Sequence, residues 1–112
     1  MGENESFHSF FHAPTVIIIS GEIQSIAPQF DCAVAAQNIM LAAEALAIGS
    51  CWISAASVIT QSETGKKIIA GLGLPAGYAP FSSIALGYKK TPSPTAPLRR
   101  EGVVHYIRPK QE

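Results

Sequence analysis

The chain has 112 residues, 47% hydrophobic and only 14% charged, with eight basic and eight acidic side chains that cancel at neutral pH. Zero net charge argues against nucleic acid or an anionic membrane as partner. No apolar run reaches the roughly 18 residues of a spanning helix without a Gln, Asn, Glu or Gly interrupting it.

So apolar a composition is unusual for a small soluble monomer, and part of the apolar surface is expected to face a partner subunit. Cys32 and Cys51 form no CxxC pair and follow no secretory pattern, so reduced thiols in a cytoplasmic protein are expected.

Residues 1–12 read as a polar, then aromatic N-terminal extension, with Phe7, Phe10 and Phe11 among His8 and His12. Thr15–Ser20 (TVIIIS) is a β-branched run that predicts a strand covered on both faces. Gly21–Phe30 reads as a loop. Asp31 stands where an N-cap belongs, Cys32–Ile48 follows without Gly or Pro, and Gly49 stands where a C′ glycine would end the helix. That helix is alanine-rich and apolar nearly all round, which predicts enclosure by protein on every side.

Ser50–Ile59 reads as a short strand or loop, and Gln61–Ala70 as a second helix ended by Gly71 and Gly73. Leu74–Tyr78 is a turn, and Phe81–Tyr88 (FSSIALGY) predicts another strand. Lys89–Pro97, with Pro92, Pro94 and Pro97, reads as an extended arm. Val103–Ile107 (VVHYI) predicts a final edge strand. The whole is expected to form one domain over 1–112, with residues 89–112 as a C-terminal arm.

The usual chemical constellations are thin. The three histidines are scattered, and no third ligand joins His8 and His12, so no metal site is expected. Cys32 at a helix start could have its pKa lowered by the helix dipole, but a buried small hydrophobe is the stronger reading. No carboxylate is placed as a general base, and no catalytic side chain is assigned. Gly71-Leu72-Gly73 terminates a helix and lacks the pattern of a phosphate cradle. Six of the eight basic residues (Lys89, Lys90, Arg99, Arg100, Arg108, Lys110) lie at the C-terminal end. Arg99-Arg100 is the one candidate for an anionic ligand, since guanidinium groups pair with phosphate oxygens; from spacing alone, a solvated basic tail is the simpler reading.

Three stretches together resemble the FMN-dependent nitroreductase family: APTVIIIS (Ala13–Ser20), DCAVAAQNIMLAAEALAIGSCWI (Asp31–Ile53), and LGLPAGYAPFSSIALGYKK with the later RREGVVHYI (Leu72–Lys90 and Arg99–Ile107). The resemblance implies an α+β fold, a small sheet packed around a central buried helix, and a homodimer made through the 31–48 helix. It implies an FMN-dependent oxidoreductase that takes electrons from NAD(P)H and reduces a nitroaromatic, quinone or similar small aromatic acceptor.

Carried onto this chain, the resemblance puts Trp52, Ile53, Ser54 and Ala55 against the isoalloxazine. There, backbone amides can stabilise negative charge on the reduced ring. It puts Arg99 and Arg100 on the FMN phosphate. The family often has Gly at the two positions where this chain has Ser54 and Ala55. Family members usually begin with a helix carrying an Arg-Arg-Ser-x-Arg segment. Only residues 1–12 precede Ala13 here, so the resemblance implies that roughly the first 60 residues of a typical member are missing. A non-catalytic remnant of the fold, which dimerises or binds ligand without turnover, is therefore the alternative.

Overall fold

The computed structural model describes residues 12–54, 62–92 and 94–110. The β-branched run forms β1, Thr15–Glu22, two residues longer than its sequence signature. The predicted Phe81–Tyr88 strand extends backwards to make β3, Tyr78–Tyr88. Residues leaving the main helix form β2, Ile48–Ile53. The sheet order is β1-β3-β2, with β3 antiparallel to both neighbours. The strand latest in sequence is therefore central, and β1 and β2 run parallel without touching.

Cross-strand partners share a face. Ile17, Ile84 and Trp52 thus form one row across the sheet, and Ile18, Ser83 and Ile53 the next. The register shifts between Ile19 and Ser20, leaving Phe81 as an extra residue on β3 beside Pro80. A bulge is one of the few places in a sheet that accept proline, which has no N–H for the ladder.

The main helix, α1, spans Pro28–Ala45, three residues earlier at each end than the 31–48 expectation. Pro28 sits in the first turn, where its missing N–H costs nothing and its fixed φ suits the helix. Ala27 is the N-cap, with no side-chain cap, and Asp31 is an acidic residue of the first turn and not the cap. At the other end Ala47, not Gly49, takes the left-handed conformation (φ +60). Its N–H bonds the Glu44 carbonyl at 3.0 Å. β2 begins at the next residue, so Gly49 belongs to a strand. Left-handed backbone costs a residue with a Cβ roughly 1–2 kcal/mol, which the short passage from helix to strand imposes.

α1 lies along the sheet in the direction of β3. Its first turns dock at Gly21, where an added Cβ would stand 3.1 Å from Cys32 Sγ, 3.4 Å from Pro28 and 3.6 Å from Phe81. Its last turn is clipped to the end of β3 by Lys89 Nζ, which donates to Glu44 Oε2 at 2.7 Å. The residues this buries, Pro28, Cys32, Ala36 and Ala43, recur at helical spacing and form one stripe. Phe30, Val34, Leu41 and Leu46 stand exposed. Among the described residues α1 is therefore enclosed on one side only, and they do not supply the enclosure expected on every side.

The second helix, α2, spans Glu63–Gly71 and is capped by Ser62, whose hydroxyl accepts the Gly65 N–H at 2.9 Å. The turn before β3 is closed by Gly77 (φ +85) and by the Tyr78 N–H on the Pro75 carbonyl. The Ile23 N–H then ties that turn to the end of β1 through the Gly77 carbonyl at 2.8 Å.

Beyond Tyr88 the described residues are exposed and form neither helix nor strand. The strand expected at Val103–Ile107 is not formed: its valines, Tyr106 and Ile107 are exposed and find no ladder partner among the described residues. The radius of gyration is 18.3 Å, against about 13 Å for a compact domain of this size.

Candidate functional site

Among the described residues β2 pairs only with β3 and stands at the edge of the sheet, and Ser50, Cys51 and Trp52 on it are exposed. Trp52 keeps 46% of its surface in solvent although its row partner Ile84 is fully buried. The next residue turns inward: Ile53 is 9% exposed. Its carbonyl accepts a 2.6 Å hydrogen bond from the Ser83 hydroxyl directly across the ladder. Ser54 follows, half-buried, and Ala55 lies outside the described residues. Three of the four residues expected to line a planar ring thus form one continuous strand end, an aromatic plate followed by an anchored backbone.

This end lies on the side of the sheet where α1 begins. β1 and β2 are parallel, and α1 docks its first turns at Gly21 near the carboxyl end of β1. The thiol there is not activated. Cys32 is 3% exposed, and burial, with a smaller contribution from the Asp31 carboxylate, pushes it above its ordinary value of 9.0. It behaves as a buried hydrophobe, contrary to the lowering a helix start can produce.

Arg99 and Arg100 belong to the C-terminal arm, which leaves the sheet after Tyr88, beyond the rung that pairs Tyr88 with Ile48. Both are exposed. Among the described residues neither forms a hydrogen bond or ion pair, and nothing of that kind joins them to Trp52–Ser54. A guanidinium pair without a carboxylate partner can take an anion. The two halves of the expected site are thus both present but are not brought together by any described polar contact within the chain.

Sequence reasoning missed Ser83. Its signal was a pair of serines, Ser82 and Ser83, inside an otherwise apolar strand. Both prove to be at most 1% exposed, and a hydroxyl so placed needs a partner.

The comparisons agree with this architecture. A nitroreductase from Bacteroides fragilis, solved with bound FMN, superposes with a TM-score of 0.80 at 30% identity, over 96% of this chain and 58% of that one. A protein of Archaeoglobus fulgidus provisionally named NADH dehydrogenase/NAD(P)H nitroreductase is 42% identical over 60 residues, 54% of this chain and 33% of its own. A protein of the same provisional name from Methanothermobacter thermautotrophicus is 35% identical over 81 residues, 68% of this chain and 40% of its own. The chain thus spans well under two thirds of the relatives it matches. The sequence pattern of the nitroreductase family covers residues 3–88, which takes in all three strands and both helices, and on that match the chain belongs to the nitroreductase family.

Proposed function

We propose that the chain acts as an FMN-dependent oxidoreductase, using NAD(P)H to reduce a nitroaromatic, quinone or similar small aromatic acceptor in the cytoplasm. The observation that carries this reading is family membership together with the close superposition on an FMN-bound nitroreductase. Bound FMN would supply the hydride and electron chemistry, and the chain would supply binding, orientation and electrostatics.

The residues present suit that group. Arg99 and Arg100, exposed and unpaired by carboxylates, would hold the phosphate. Trp52, Ile53 and Ser54, with Ala55, would line the isoalloxazine, where fixed backbone donors stabilise developing negative charge without reorganising.

The reading includes a homodimer through α1. Its support is the outer face of that helix, where Phe30, Val34 and Leu41 are 59–66% exposed. Side chains of this kind over several turns favour a protein cover. A dimer would also allow the arm of one subunit to bring Arg99 and Arg100 to the other subunit's strand end, so that FMN lies at the subunit boundary.

The alternative reading is a dimerising remnant of the fold without turnover; the chain spans 33–58% of the length of the relatives above. Purification separates the two. A yellow protein releasing one FMN per chain on denaturation, with NAD(P)H bleaching the bound flavin, supports the enzyme. A colourless dimer that takes up no added FMN overturns it and leaves the remnant. Replacing both Arg99 and Arg100 with Ala should weaken FMN binding while dimerisation persists; unchanged binding would remove them from the site.

A further inference from the structure

We infer that Ser83 is a positioning residue for the carboxyl end of β2, orienting and polarising the Ser54 backbone amide toward the flavin. The inference rests on the reading above, in which that strand end lines the isoalloxazine.

Ser83 is wholly buried in the central strand. A hydroxyl there is unfavourable unless it is hydrogen-bonded, and its bond spans thirty residues of sequence to the Ile53 carbonyl at 2.6 Å, at the short end for a hydroxyl donor. Ile53 is the last residue of β2, a strand that has a neighbour on one side only among the described residues. Strand ends of that kind fray when their last rung is weak.

The geometry of the peptide bond makes this contact matter one residue further on. The Ile53 carbonyl and the Ser54 N–H belong to the same planar unit. A hydrogen bond that fixes the carbonyl oxygen fixes the direction of that N–H as well. It also draws electron density toward the oxygen, which makes the N–H a better donor by the cooperativity seen in hydrogen-bond chains. Ser83 therefore sets both the aim and the strength of one backbone donor without touching the cofactor. The adjacent Ser82 is equally buried, at 1% exposure, but pairs in register with Ile19 of β1. It is the natural control.

The test compares wild type, Ser83→Ala and Ser82→Ala in the whole chain. FMN affinity is measured by quenching of flavin fluorescence. Amide exchange and the NMR shift at Ser54 are read without added cofactor, and Trp52, the chain's single tryptophan, reports the same strand end by its emission. Loss of one hydrogen bond predicts about a tenfold rise in the FMN dissociation constant for Ser83→Ala, together with faster exchange and an upfield move of the Ser54 amide. Ser82→Ala should leave all of these within about twofold of wild type.

If Ser83→Ala fails to fold, Ser83→Cys keeps the volume with a weaker donor and must still weaken FMN binding more than Ser82→Ala does. Should the Ser83 variants match Ser82→Ala while wild type binds FMN, the positioning role is refuted and the flavin reading stands. Should wild type take up no FMN at all, the flavin reading fails and the inference fails with it.

Discussion

On the side of α1 that meets the sheet, Ala36 is fully buried and Cys32 and Ala43 nearly so, whereas on the opposite side Phe30 and Val34 are each 66% exposed and Leu41 59%. The two sides are alike in hydrophobicity and unlike in surroundings. Small residues on the inner side let the helix approach the strands closely; large ones on the outer side have nothing to approach among the described residues. The lesson is that an all-apolar helix reports how much cover it needs, not where the cover comes from.

Charge placed on each side gives the largest contrast. Ala36→Glu would force a carboxylate into the seam between helix and sheet, at a cost of about 3–5 kcal/mol, enough to remove most of a small domain's stability. Its urea midpoint should collapse. Leu41→Glu puts the same charge on the outer side, and there the helical CD signal should survive while the proposed dimer sediments as a monomer. A wild-type monomer, or a dimer indifferent to Leu41→Glu, would mean that the outer face is not the subunit contact.

Gly21→Val tests the closeness of the inner side. The new side chain meets Cys32 Sγ and Pro28, and should cost about 1–3 kcal/mol by overpacking. Cys32→Ala in the same chain should recover part of that loss, so the two costs should not add. Strict additivity in denaturant titrations would show that the helix does not dock there.

The inner side also carries a pH dependence. The folded chain holds the Cys32 thiol proton above the ordinary value of 9.0. The unfolded chain releases it first, so stability is intact below that value and declines as pH rises through and beyond it. Cys32→Ala should flatten this alkaline decline relative to wild type. The exposed Cys51 should react with a thiol reagent in the native state, well before Cys32.

The smallest effect belongs to the clip at the end of the helix. Glu44→Gln removes the ion pair with Lys89, but Glu44 is 64% exposed, so no more than about 1 kcal/mol is expected, and less in high salt.

Much of the fold could be read from local pattern because local pattern determines it. TVIIIS has no alternative to a strand, and Gly73 and Gly77 punctuate the turn before β3. The helix boundaries misled because two rules competed. Asp31 is a good cap by type, but Pro28 can start the helix a turn earlier. Gly49 is a good terminator by type, yet Ala47 accepts the left-handed angle and lets β2 begin at once. VVHYI has the composition of a strand and, among the described residues, no strand beside it, and strand propensity is chiefly the fit to neighbours.

The candidate site was legible only in halves. Trp52–Ser54 could be placed because the helix ahead of them delivers them. Arg99 and Arg100 sit on an arm whose course nothing local dictates. Ser83 stood out only as one of two serines in an apolar strand, and its significance is a contact with a residue thirty positions away.

The position of β3 has a consequence for how this protein is made. Among the described residues β1 and β2 do not pair with each other; each has its ladder with the later strand Tyr78–Tyr88. As the nascent chain leaves the ribosome, its first two strands and the greasy helix between them must wait, with their backbone edges open, until that segment arrives. Assembly is thus delayed by its own topology, as for any architecture built on distant pairings. A stop codon placed before residue 78 would yield not a smaller version of the fold but two unpaired strands prone to stick to one another's neighbours.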